Sequence, residues 1–244
     1  MGAAASRKTI PLTEKTNSGG EMDRKKAVLF DMDGVLFDSM PNHAYSWSHA
    51  VTEFGLSMSP EEAYLHEGRT GSGTIDILAQ RHWGRNATEE EKQRIYDAKT
   101  RIFLSCPKPK PMPGALQLLE TVRDLGLKIV LVTGSATTTL LQQLDRHFPH
   151  IFQQERMVTG FDVKFGKPHP EPYLMGLRKA CVEVGEALVV ENAPLGVQSA
   201  HAAGIFTIAA NTGPLPDQVL LDSGADVVLP NLFEVKDLLT SLVK

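Results

Sequence analysis

Two aspartates one residue apart, Asp31 and Asp33, close a short apolar run in the stretch KAVLFDMDGVLFDS (Lys26–Ser39). Two carboxylates at one place repel unless positive charge lies between them. A hard divalent cation with oxygen ligands answers that need, and Mg²⁺ suits carboxylates that share it with a phosphate. Strict alternation along an extended chain would point the two acids to opposite sides, but Gly34 permits a sharp turn back. The plainer reading is a pair of turn-capping acids. A third acid close by, Asp38, makes that reading less attractive.

Three other segments offer what such a site would want. IVLVTGSA places Thr133, Gly134 and Ser135 after an apolar run. A hydroxyl and open backbone N–H groups there can hold phosphate oxygens, and can equally cap the next helix. KFGKPHPEP sets Lys167 among Pro168, Pro170 and Pro172. A loop stiffened by prolines presents an ammonium at low entropic cost, although a lone lysine is more often just solvated. ALVVENAPLG ends its apolar run with Glu191 and Asn192, two more oxygen-bearing side chains.

Elements must bring these segments together. Short apolar runs at Ala27–Phe30, Lys128–Thr133, Arg156–Thr159, Ala187–Val190, Phe206–Ala209 and Asp226–Leu229 read as strands. Amphipathic stretches between them, such as Gly114–Leu125 and Pro170–Val182, read as helices. Continuous apolar strands alternating with helices predict a parallel sheet covered on both faces. In such a sheet ligands sit beyond the carboxyl ends of the strands, where the acids lie. The expected fold class is α/β, a Rossmann-like parallel-sheet core in three α/β/α layers. One region breaks the rhythm. Between Pro41 and Cys106 only helix-like segments occur, at Asn42–Phe54, Gly73–Arg81 and Thr88–Leu104, before CPKPKPMPG interrupts with four prolines. Residues 40–108 are therefore expected to form an inserted α-helical cap, with residues 25–39 and 109–244 as the core.

Residues 1–24 are polar and lack apolar periodicity, and read as a disordered tail. Met1–Ser6 fits the N-myristoylation pattern, with Gly2 as acceptor; an unmodified leader, or a start at Met22, is the plainer reading. With 42% hydrophobic residues, 244 residues can build a sizeable core. The formal net charge of -4 gives no basic footprint for nucleic acid. No apolar run approaches the ~20 residues of a membrane span. Cys106 and Cys181 lack metal-ligand spacing and read as buried or partly buried thiols of a reducing, cytoplasmic compartment. Nothing in the sequence specifies an oligomeric state.

Taken together, DMDGVLFDS, VTGS, GKPHPEPY and VVENAPLGVQSAHAAG, in this order from Lys25 onward, resemble the haloacid dehalogenase-like superfamily of phosphotransferases. The position of the insert resembles the helical cap of its β-phosphoglucomutase branch. HEGRTG (His66–Gly71) and ENAPLG look closest to a bacterial subgroup of that branch that includes an inorganic pyrophosphatase. The resemblance implies roles. Asp31 would attack phosphorus and carry the phosphoryl group as an aspartyl-phosphate. Asp33 would protonate the leaving oxygen and then take a proton from water. Mg²⁺ would be held by Asp31, the Asp33 carbonyl and the Glu191–Asn192 element, with Glu67 of the cap reaching the same ion. Thr133, Gly134, Ser135 and Lys167 would bind phosphoryl oxygens, with His43 and Arg69 near the substrate.

Two departures from the branch matter. Asn192 stands where an aspartate is usual, so it brings an amide oxygen but no charge. Gly71 stands where a mutase carries an arginine for its second phosphate, with Arg69 nearby. The expected function is Mg²⁺-dependent hydrolysis of a small phosphorylated substrate, inorganic pyrophosphate or a small sugar phosphate. The alternatives are β-phosphoglucomutase activity, converting β-glucose 1-phosphate to glucose 6-phosphate, and a weakly active phospho-ligand sensor.

Overall fold

The computed structural model describes residues 24–134 and 140–243. The expectations for Ser135, for Gly2 and for nearly all of the tail lie outside these residues. Among them six parallel strands form one sheet: β1 (Ala27–Phe30), β2 (Lys128–Val132), β3 (Met157–Val158), β4 (Ala187–Glu191), β5 (Phe206–Ala210) and β6 (Val227–Leu229), in the order β3-β2-β1-β4-β5-β6. That order reverses direction between β1 and β4, the point at which a doubly wound sheet opens a crevice for ligands. Phe30 pairs with Val190 there, so the next residues, Asp31 and Glu191, emerge side by side.

Alternation along β1 explains the layers. Val28 and Phe30 pack on one face with Leu118, Leu119 and Val122 of α5 (Ala115–Asp124) and with Leu232, Val235 and Leu239 of α10 (Leu232–Leu242). Ala27 and Leu29 pack on the other with Tyr173 and Leu177 of α7 (Glu171–Ala180) and Ala200 of α8 (Pro194–Ala202). All four β1 side chains are buried, as a central strand of a two-faced parallel sheet requires. No helix among the described residues is long and apolar enough to cross a membrane.

Between β1 and α5 lie four helices, α1 (Met40–Ala50), α2 (Pro60–Leu65), α3 (Gly71–Trp83) and α4 (Glu89–Ser105), with a core of their own around Val51, Ile75, Leu78 and Ile95. The start of α4 is set by a capping box, Thr88 with Glu91, and three glutamates in its first turn favour its positive end. The two crossings into this unit run beside each other. Met112 N–H donates to Leu36 O at 2.8 Å and Asp38 N–H to Lys110 O at 2.9 Å. Asp38 is thus an exposed strap residue rather than a third acid of the site. Cys181 also departs from expectation: it ends α7 in a left-handed conformation that turns it into solvent, and it is exposed.

Candidate active site

Asp31 leaves β1 with its N–H on Val190 O at 3.1 Å and its side chain buried. The chain then folds back at Gly34, whose φ of +78° suits glycine, and Gly34 N–H closes the loop onto Phe37 O at 2.8 Å. This turn brings Asp33 back to line the same cavity as Asp31. Asp33 Oδ1 accepts the Ser39 hydroxyl at 2.5 Å and lies 3.5 Å from His43 Nε2. A side chain at position 34 would meet the Asn192 amide, its Cβ only 2.0 Å from Nδ2. The turn and the seat of Asn192 therefore need the same glycine.

Lys167 bridges the switch point. Its ammonium donates to Asp31 Oδ1 at 2.5 Å and to Glu191 Oε1 at 2.6 Å. Glu191 Oε1 also accepts the Tyr173 hydroxyl at 2.8 Å, while Oε2 accepts the N–H groups of Asn192 (2.9 Å) and Ala193 (3.1 Å). Both Glu191 oxygens accept hydrogen bonds within the protein. Of the Glu191–Asn192 pair, the amide has the open oxygen: Asn192 Oδ1 is buried and has no hydrogen-bond partner among the described residues. Its Nδ2 donates to Glu67 Oε1 at 2.9 Å.

Glu67 belongs to the loop between α2 and α3, and its hydrogen bond with Asn192 ties the helical unit to the core. Its neighbour Gly68 lies against Lys167, whose Cδ would be 3.1 Å from a Cβ at that position. A Cβ at Gly134 would lie 3.4 Å from Gly68 O. Thr133 is buried at the end of β2, with its N–H on Val158 O. Arg69 lines the cavity, its buried Nε without a hydrogen-bond partner among the described residues. The cavity, about 100 Å³, is partly open to solvent.

Lys99 and Tyr96 were not among the residues the sequence singled out, yet both face this cavity. Lys99 Nζ lies 3.0 Å from His43 Nδ1 and 4.8 Å above the Phe103 ring. An ammonium can only donate, so Nδ1 accepts and His43 presents Nε2–H toward Asp33. The Tyr96 ring fills the space that a side chain at Gly71 would take, its Cε2 2.4 Å from a Cβ there. A signal existed for Lys99: Ile95, Lys99 and Phe103 recur at four-residue spacing on the apolar face of α4, where a lysine is out of place.

The electrostatics follow from crowding acids in a dry site. Burial, helped by Glu191 and Asp33, pushes Asp31 up to about 7 despite Lys167. Burial and the carboxylates of Asp31, Glu191 and Asp33 hold Glu67 well above the usual range, against the Asn192 amide. Asp33 goes the other way: burial is outweighed by His43, Ser39 and Lys99, which bring it down to about 2. Burial lowers Lys99 to about 8. Two carboxyls made costly to ionise, beside an orphaned amide oxygen, form a donor set that a hard cation would relieve. Among the described residues no three His, Cys, Asp or Glu side chains already converge as a metal cage. The oxygen donors at hand are two carboxyls, an amide and backbone, which suits an ion that keeps several waters.

Residues 28–210 match the family model described as haloacid dehalogenase-like hydrolase. A phosphorylated carbohydrates phosphatase of Thermotoga maritima is 31% identical over 82% of this chain and 92% of its own length. Hexitol phosphatase A of Escherichia coli is 31% identical over 87% of this chain and 94% of its own. Among solved structures, a chain from Bacteroides vulgatus provisionally assigned as a beta-phosphoglucomutase is 56% identical, superposes with a TM-score of 0.86, and is matched over 89% of this chain and 88% of its own. The sheet order, the paired aspartates at its switch point and these matches agree: the chain belongs to the haloacid dehalogenase-like hydrolase family, and it is an enzyme of that family.

Proposed function

We propose that the protein is a Mg²⁺-dependent phosphohydrolase of small phosphate compounds, with inorganic pyrophosphate as the substrate that best fits the site. The observation that carries this reading is the meeting of Glu67 with the core: it accepts from Asn192 Nδ2 at 2.9 Å and lines one cavity with Asp31 and Asp33, the feature by which HEGRTG and ENAPLG resemble the pyrophosphatase-type members. Asp31, the Asp33 backbone carbonyl, Asn192 Oδ1 and Glu67 would hold Mg²⁺, which when bound neutralises phosphoryl and carboxylate charge.

Lys167 fixes Asp31 through Oδ1 and leaves Oδ2 to attack phosphorus. The bond from Oδ2 to phosphorus forms as the bond to the leaving oxygen breaks, giving an aspartyl-phosphate and releasing phosphate. Lys167, the Thr133 hydroxyl and the Gly134 N–H would hold the transferring oxygens. Water then attacks phosphorus, its proton passes to Asp33, and the bond to Asp31 breaks. Asp33, which accepts the Ser39 hydroxyl and lies beside His43 at the cavity wall, is placed to give a proton to the leaving oxygen and then to take one from the attacking water.

The second reading is phosphoglucomutase activity, favoured by the likeness to the Bacteroides vulgatus chain. A mutase must hold a bisphosphate at both ends. Gly71 offers no side chain, and the ring of Tyr96 occupies its place. Phosphate release with Mg²⁺ from pyrophosphate, both anomers of glucose 1-phosphate and glucose 6-phosphate, coupled to detection of glucose 6-phosphate, separates the two. Hydrolysis with pyrophosphate preferred supports the proposal. Glucose 6-phosphate formed from the β anomer without net phosphate overturns it.

A further inference from the structure

Tyr173 has no part in the chemistry above, yet it is the largest fully buried side chain among the described residues and touches the site. It stands in the first turns of α7, packed in the apolar layer with Leu29, Val130 and Leu177. A phenylalanine would fill that layer equally well. A hydroxyl there costs desolvation unless it is paired, and its partner is Glu191 Oε1 at 2.8 Å. Burial, followed by the charges of Glu191 and Asp31, raises the phenol well above its usual range and keeps it a donor.

We infer that Tyr173 is a positioning residue for Lys167, acting through Glu191; this rests on the phosphoryl-transfer reading of the site. A carboxylate offers about four acceptor positions. Glu191 spends all of them, on Lys167, Tyr173, and the N–H groups of Asn192 and Ala193. Its seat exists only because position 196 has no side chain, since a Cβ there would lie 1.7 Å from Oε1. Lys167 is therefore shared between two buried carboxylates, Asp31 and Glu191, with the Tyr173 ring centroid 5.2 Å from its ammonium. The hydroxyl draws charge from the same Oε1 that Lys167 contacts. It weakens the pull of Glu191 and keeps the ammonium available to Asp31 and to the transferring phosphoryl oxygens. Without it, Glu191 takes Lys167 more strongly, and the loss falls on the transition state, where phosphoryl charge is greatest.

The test uses the full chain with Mg²⁺ and pyrophosphate. Tyr173→Phe is expected to lower kcat about tenfold with KM within about twofold, since one hydrogen bond to a charged group is lost. Tyr173→Leu, which removes the same hydroxyl from Glu191 Oε1, is expected to show the same kcat-selective loss and stands in should the first variant not fold. Leu177→Ala, in the same apolar layer, serves as the packing control, with Tm lowered and kcat retained. The inference is overturned if Tyr173→Phe, or its stand-in, keeps kcat within about twofold of the unaltered protein, or loses no more than Leu177→Ala does. If Tyr173→Phe is fully active while Lys167→Ala is dead, only this inference fails. If the unaltered protein releases no phosphate from any substrate, the underlying reading fails and takes this one with it.

Discussion

Asn192 donates one N–H to Glu67 at 2.9 Å, while its carbonyl oxygen, equally buried, has no partner among the described residues. One side chain at the end of a core strand thus meets the helical unit and keeps a buried oxygen unpaired, so in the proposed function cation binding and the contact to the helical unit would share a residue. Glu67→Ala is expected to lower kcat/KM at least about 100-fold and to raise the Mg²⁺ concentration needed for half-maximal rate, as loss of a ligand does. Asn192→Asp adds a charge where the family branch usually has one, and is expected to tighten Mg²⁺ about tenfold. A Mg²⁺ titration of initial rate checks both; unchanged midpoints would rule out the shared role.

The pH dependence of stability has a definite sign. Asp31, at about 7, and Glu67, well above 4.5, bind protons more readily folded than unfolded. Groups raised in this way stabilise the fold below their unfolded values and lose that contribution as pH rises through the folded ones. Asp33, at about 2, acts in the opposite sense but only below about pH 4, and His66, lowered by burial, opposes the two raised acids below about pH 6.5. With EDTA, Tm is therefore expected to fall as pH rises from 4.5 to 7.5, and Mg²⁺ to flatten the slope. A Tm that rises with pH in EDTA contradicts the arrangement of acids.

Lys99 reports on Asp33 through His43. It is held at about 8 by burial, so it loses its proton just above neutrality. The chain of donors toward Asp33 then weakens. The pH profile of kcat/KM is expected to show an alkaline limb near 8 that Lys99→Met removes, with a rate about tenfold lower at pH 7. A limb that persists in the variant assigns it to another group.

Tyr96 sets the width of the cavity. Its ring stands where a Gly71 side chain would, and Tyr96→Ala opens that space. The ratio of kcat/KM for hexose phosphates over pyrophosphate is expected to rise about tenfold. An unchanged ratio would mean that the size limit lies elsewhere in the cap.

Much of this was legible from the sequence. The six strands lie within a residue or so of their apolar runs, because central parallel strands must be apolar on both faces and so announce themselves. Asp31 and Asp33 stood out because charged groups at the ends of buried strands are costly unless they meet a partner or a ligand there, whereas Lys167, in a proline-rich loop, was singled out mainly by the family resemblance. The helix Pro60–Leu65 did not, since six residues give too little periodicity and only Ser59–Pro60 marks its start. The four donors around Glu191 were not legible; nothing local shows that Tyr173, 18 residues earlier, takes one acceptor position and the next two N–H groups another two. Lys99 and Tyr96 reach Asp33 and Gly71 only through the packing of α4 on α1 and α3, a relation between segments that no single stretch contains.

If Asp31 takes the phosphoryl group of a small phosphate compound, a single turnover with ³²P-pyrophosphate and Mg²⁺, quenched in acid within milliseconds and mapped by peptide mass spectrometry, puts label on the peptide carrying Asp31 before phosphate release is complete, and none in Asp31→Asn. Full phosphate release with no labelled enzyme at any time would show that water attacks directly, and would contradict that transfer.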